Sequence, residues 1–227
     1  MTIAPTLSTE RLTLRMPVLA DFGHHAAFHA SDRSMWEGGP RDRAAAWRVW
    51  ASDVALWPLK GYGPFGVEDR QTGEYLGEVG IFHAEEYPEP ELGWMVVPQA
   101  EGRGIAFEAA RAVMGWVRSR FGWDEITNII DPGNARSIAL GLRLGGRIDS
   151  TRPGIDPGDV VIVHDLRGLG GAAYAKTTSG ARRLRHCGSR HGVHRQHPCV
   201  SKVCNPPTRL CHSSRTHARN AQATSAR

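Results

Sequence analysis

The chain has 227 residues, of which 41% are apolar, with 28 Lys and Arg against 23 Asp and Glu and a net charge of +5. It holds no run of eighteen apolar residues, and Met1–Glu10 carries no apolar stretch fit for a signal peptide, so neither a membrane span nor a secretory leader is expected. The charge is unevenly spread: residues 172–227 hold eleven Lys and Arg, all four Cys and six His, with no acid, Trp or Phe, while residues 1–171 are net acidic.

Taken in chain order, residues 10–16 alternate as a strand. Helices are predicted over 19–30 and 41–57, the second with Ala44, Trp47, Val49, Trp50, Val54 and Trp57 on an apolar face. Strands follow at 63–68, 75–83 and 90–97, the last closed by Pro98. A helix at 104–121, a strand at 125–130 and a helix at 134–144 come next, then strands at 146–150 and 159–164. This is a mixed α/β domain over residues 1–171. The segment 172–227 lacks the apolar pattern needed to offset its ordering entropy and is expected to be a disordered basic tail, with the composition of an altered or extended reading frame.

Several clusters carry possible chemistry. His24, His25 and His29 share a predicted helix. His25 and His29 stand one turn apart, as metal ligands would, but no third ligand is evident, so exposed helix residues are expected. Cys199, Cys204, Cys211 and His212 match no standard zinc-finger spacing, and no metal is expected. The tail's cations suit nonspecific polyanion binding, without the interleaved aromatics of a specific nucleic-acid site.

The most informative stretch is Glu101-Gly102-Arg103-Gly104-Ile105-Ala106, a glycine loop between a strand and a helix. The first N–H groups of a helix have no internal partner and favour an anion, and glycine lets a phosphate come close to the backbone. It is not a Walker loop, because Gly-Lys-Ser/Thr is absent. Nor does it open the repeated strand–helix units of a dinucleotide fold.

With this loop, four further segments resemble the GNAT acetyltransferase superfamily, in the branch of the ribosomal-protein N-terminal acetyltransferases. They are Thr9-Glu10-Arg11-Leu12-Thr13-Leu14-Arg15, Phe107-Glu108-Ala109, Asp131-Pro132-Gly133-Asn134-Ala135-Arg136-Ser137 and Leu144-Gly145-Gly146. The likeness spans residues 8–164. It implies a central, mostly antiparallel sheet splayed in the middle and flanked by helices. It also implies acetyl-CoA as co-substrate, with Gly102, Arg103, Gly104, Ile105 and Ala106 at its pyrophosphate and the backbone of Met95, Val96 and Val97 along its pantetheine arm. Asn134 would cap a helix and touch the same arm. Glu91 would be the base, and Ser137, since no tyrosine lies between Tyr87 and Tyr174, would serve the leaving thiol directly or through water. Two positions depart from the pattern. Glu101 puts a carboxylate where Gln or Arg is usual and is expected to turn away from the anion, and Gly146 stands where an apolar ring usually packs the sheet.

The implied reaction is acetyl transfer to a primary amine, on a protein N-terminus or a small metabolite, by a cytoplasmic monomer or homodimer with no membrane or specific nucleic-acid partner. A non-catalytic acyl-CoA-binding module and a nonspecific nucleic-acid binder are the alternatives. The acceptor pocket is expected among residues 30–40, 58–63 and 83–90, with Trp36, Trp57 and Tyr87 as its lining or as core, and with Glu85, Glu86 and Glu89 as a polar loop in preference to an acidic entrance.

Overall fold

A computed structural model describes residues 4–169; the tail 172–227, with its cysteines and its expected disorder, lies outside the described residues. The elements are β1 (Leu7–Ser8), β2 (Leu12–Arg15), α1 (Phe22–His29), α2 (Arg43–Lys60), β3 (Pro64–Asp69), β4 (Tyr75–Phe82), β5 (Glu91–Val96), α3 (Ile105–Phe121), β6 (Glu125–Ile130), α4 (Ala135–Arg143), β7 (Arg147–Ile148) and β8 (Val160–Asp165). They form one eight-stranded sheet in the order β1-β2-β3-β4-β5-β6-β8-β7. Every neighbouring pair is antiparallel except β5 and β6.

That exception positions the site. β4 and β5 stay paired over six residues, and so do β6 and β8. β5 and β6 meet in parallel only at Glu91 and Thr127. Beyond Glu91 the two halves of the sheet diverge, and the end of β5 gains an edge with free backbone groups inside the protein.

Helix α3 follows from its sequence. Ile105, Ala109, Ala112, Val113, Trp116 and Val117 recur at helical spacing and are buried against the main core with Leu12, Phe65, Val67, Val79 and Ile81. Gly104 and Gly122 sit at its two ends with φ of 76° and 72°, a conformation that glycine adopts without strain. Trp57, Phe65 and Trp116 meet edge-on or tilted with centroids 4.7–5.6 Å apart, pairs that each add about 1 kcal/mol beyond area burial. Trp57 also donates from Nε1 to Pro64 O at 2.7 Å, so it belongs to the core and not to a pocket wall.

Some elements differ from expectation. Residues 19–21 form a 3-10 turn, with α1 starting at Phe22, and Asp32–Glu37 form another. α2 passes Pro58 and runs to Lys60, where Gly61 closes it. β7 keeps two residues, and β1 is an extra short strand. At Gly146 the space of the missing ring is filled from β8, because a Cβ there would collide with Ile162 and come within 2.7 Å of His164. His25 and His29 are buried, not exposed. Among the described residues no three His, Cys, Asp or Glu side chains group as a metal site, and no helix is long and apolar enough to cross a membrane.

Candidate active site

Two cavities meet where the sheet opens. The first, of about 540 Å³, runs from the glycine loop along β5 to α4. Gly102 and Gly104 hold φ of 70° and 76°, and nothing lies within 4 Å of a Cβ built on Gly102. The N–H groups of Ile105, Ala106 and Phe107 precede the first helical bond, from Glu108 N–H to Gly104 O, and no side chain caps them. This is an open cradle of unpaired donors at the positive end of a helix dipole, and it fits a pyrophosphate.

Two of the segments carrying the family likeness, Thr9–Arg15 and Phe107–Ala109, meet at this loop. Glu108 in the first turn of α3 accepts from Thr9 Oγ1, from Arg11 N–H and, at 2.7 Å, from Arg11 Nε. Burial pushes the Glu108 carboxyl up, but these donors outweigh it and hold it below its usual range. Arg11 Nη1 also donates to Arg103 O at 3.1 Å and so fixes the loop itself. The Arg103 side chain donates to Gln99 O and does not line the cavity.

Glu101 does not turn away. It lines the cavity mouth and accepts from Arg33 and, at 2.8 Å, from Arg136. Hydrogen bonding from Arg136 is the main cause holding its carboxyl below the usual range, so it stays ionised and paired.

The backbone of β5 divides by the two-residue period. Val97 N–H donates to Leu76 O on β4 at 3.0 Å, which removes Val97 from the expected pantetheine row, and alternation turns Met95 to β4 as well. Val96 and Trp94 face the opening: Asn128 Nδ2 donates to Leu92 O, and Arg33 Nη2 to Val96 O at 2.8 Å. The backbone of Val96 and Trp94 therefore lies on the open edge of β5. On α4, Asn134 caps the helix by accepting from Ser137 N–H at 3.2 Å. Ser137 Oγ accepts from Trp94 Nε1 at 3.3 Å, which leaves its own hydrogen to give.

The second cavity, of about 740 Å³, lies between β4–β5 and the helices α1 and α2. It shares Phe28, Trp36, Glu37, Trp94, Met95, Asn134 and Ser137 with the first. Trp36 lies against Gly133, where any Cβ would meet its ring, and so it bridges the turn after α1 to the start of α4. Tyr87 and Glu86 line this second cavity, while Glu89 pairs with Arg152 instead.

Carboxyl groups dominate its walls. Burial, together with Glu37, Asp159 and Asp53, raises the Glu91 carboxyl well above the usual range, although Ile129 N–H donates to it. Burial and the nearby Glu78, Glu86 and Glu37 push Asp53 up to about 8. The surrounding protein pushes Glu37 up to about 7, but that residue is open to water, which screens the effect. Carboxyls of raised proton affinity beside a cleft are the mark of an acid–base site. Arg33, Arg136, Trp94, Asp53 and Glu37 were not singled out from sequence. Only Trp94, one residue before the expected pantetheine row, could have been found by local pattern.

The acetyltransferase (GNAT) domain family matches residues 11–147. A solved acetyltransferase from Agrobacterium tumefaciens is similar at 41% identity, with 70% of this chain and 94% of that one covered and a TM-score of 0.68. The protein YkkB of Bacillus subtilis is 30% identical over 156 residues, covering 64% of this chain and 87% of its own. Spermidine N-acetyltransferase from Vibrio cholerae, solved with CoA and spermine, shares the fold at 14% identity, 71% and 99% coverage and a TM-score of 0.56. The splayed sheet, the glycine cradle and these matches together lead to one conclusion: the chain belongs to the GNAT acetyltransferase family.

Proposed function

We propose that the protein transfers the acetyl group of acetyl-CoA to a primary amine by direct attack of the amine on the thioester. The observation that carries this reading is the junction of an anion cradle with an acidic cavity at Trp94, Asn134 and Ser137. One cavity suits a phosphorylated carrier and the other a cation. When bound, acetyl-CoA supplies an electrophilic carbonyl and a thiolate leaving group.

The chain's own groups divide the remaining work. The N–H groups of Ile105 and Ala106 with Gly102 and Gly104 hold phosphate, and Arg33 and Arg136 stand beside them as cations. The backbone of Val96 and Trp94 offers hydrogen bonds along the open edge of β5, and an N–H there polarises a carbonyl. Glu91 removes the proton of the ammonium. A carboxyl whose proton affinity is raised well above the usual range, chiefly by burial, suits that step. Ser137 Oγ, fixed by Trp94, positions a hydrogen for the leaving sulfur. A body without cysteine fits a reducing, cytoplasmic setting.

Thermal shift with acetyl-CoA, followed by release of free CoA thiol across a panel of amines, tests this reading. Stabilisation and amine-dependent thiol release are expected. Stabilisation without release would make the protein an acyl-CoA-binding module, and absence of both would remove the cofactor assignment.

A further inference from the structure

At the floor of the acidic cavity, between β4 and α1, lies a pair that the reaction above does not use. Glu78 is 3% exposed and His25 5%. Glu78 Oε1 accepts from Trp50 Nε1 and from Tyr75 OH, each at 3.1 Å. Its Oε2 lies 3.3 Å from His25 Nδ1. All three neighbours are placed as donors to one carboxylate, which selects the His25 tautomer with its hydrogen on Nδ1 and a lone pair on Nε2. That Nε2 is buried and has no partner, although His25 lines the cavity. A buried polar atom without a partner is costly, so such an atom beside a cavity marks a place for a ligand group.

Position and charge narrow the ligand. Glu78 stands directly opposite Met95 in the β4–β5 ladder, so their side chains share a face about 5 Å apart at Cβ. Met95 lines both cavities, which puts His25 close to their junction. The group that meets Nε2 must be a donor. Even leaving aside Asp53, Glu37 and Glu91, whose proton affinities are raised, five acids of the cavity face Arg41 and Arg48, so a cation is favoured and an added carboxylate is opposed. Arg41 is already held at His29 Nδ1, 3.1 Å away. The neighbouring His29 ring, 4.4 Å from His25 by centroid, is kept uncharged by burial, its pKa lowered to about 4. It therefore adds no competing cation.

Resting on the amine-acetylation reading, we propose that His25 is an acceptor-binding residue. Its Nε2, oriented by Glu78, takes a hydrogen bond from the ammonium of a small cationic amine that bears no carboxylate on the same carbon. A buried floor beside the junction selects a slender small molecule over the bulk of a protein N-terminus.

The test is calorimetry at neutral pH, with and without CoA, using n-butylamine and norvaline, which is the same amine with a carboxylate on the amine-bearing carbon. Wild type should bind n-butylamine at least tenfold more tightly than norvaline. His25→Leu should weaken n-butylamine at least tenfold while CoA affinity holds. Glu78→Gln guards against a misfolded leucine variant, because it changes almost no volume. Trp50 and Tyr75 both require an acceptor, so the new amide oxygen stays with them and its NH2 turns to His25 Nδ1. The ring hydrogen then moves to Nε2 and faces the ammonium, and n-butylamine should weaken as in His25→Leu. His25→Gln, whose amide can donate to Glu78 and present an oxygen to the cavity, should recover part of the loss. The proposal is overturned if wild type fails to bind n-butylamine, if it prefers norvaline, or if both variants bind n-butylamine as wild type does. Loss of CoA binding in wild type would instead defeat the acetyl-transfer reading, which this comparison keeps separate.

Discussion

Glu91 and Gly104 carry the two sharpest expectations for single residues. Glu91→Gln keeps shape and the Ile129 N–H contact but removes proton affinity. It should lower kcat/KM by about 10²-fold, the scale of a lost general base, and leave the acetyl-CoA Kd unchanged. Normal turnover by this variant from pH 6 to 9 would assign the base to another group. Gly104→Glu places a side chain on a backbone with φ of 76° and a negative charge at the mouth of the cradle. Acetyl-CoA binding should vanish in calorimetry while the circular dichroism spectrum persists, and retained affinity would defeat the cradle assignment. Residues whose role is set by their own turn were legible in the sequence. Gly102, Gly104 and Asn134 need special backbone angles or cap a helix, and a short stretch of chain reveals both. Glu101 was misread because its partners, Arg33 and Arg136, lie 68 and 35 residues away and reach it only in the fold.

Among the elements, α3 does the most to place the site, and its first turn is tied to the turn between β1 and β2. Glu108→Ala removes an acceptor shared by Thr9 and Arg11 and an acid at the favourable end of the helix dipole. Stability should fall by about 1–2 kcal/mol in urea unfolding, the scale of charge-assisted hydrogen bonds. The acetyl-CoA Kd should rise as well, because Arg11, freed from Glu108, holds Arg103 O less firmly. If Arg11→Ala leaves that Kd unchanged, the loop is held by its own geometry. Periodicity found the long elements because their buried faces repeat, as Ile105, Ala109, Val113 and Val117 do on α3. It missed β1, which is two residues long, and the turn at Asp32–Glu37, which supplies Arg33 and Trp36 to the site. Such short pieces owe their shape to what they pack against and carry no period of their own. α2 outran its expected end because the chain carries Pro58 within its last turn and is closed only by Gly61, whose φ is 78°.

Over the whole molecule, the divergence of β5 from β6 opens a cavity lined by carboxyls from seven elements and loops, and no linear pattern announces such a gathering. Buried titratable groups make the stability depend on pH in two opposed ways. Burial holds His29 and His164 at about 4, below their usual 6.5. Between those values the unfolded chain binds protons that the folded chain does not, so these two rings cost stability as pH falls from 6.5 toward 4. Asp53 acts in the other direction. Its carboxyl is pushed up to about 8 from 3.8 by burial and by Glu78, Glu86 and Glu37, so the folded chain binds the extra proton between these values. Asp53 thus costs nothing below pH 3.8, and its cost grows as pH climbs to 8. Asp53→Asn removes that term and keeps the volume. Its melting temperature should exceed that of wild type by a few degrees at pH 8 and by clearly less at pH 5, the gap widening steadily between them. The histidine effect, common to both proteins, cancels in this difference. An equal gap at both pH values, or a larger one at pH 5, would show that Asp53 is ionised in the folded protein throughout and that the acidic cavity tolerates its charge.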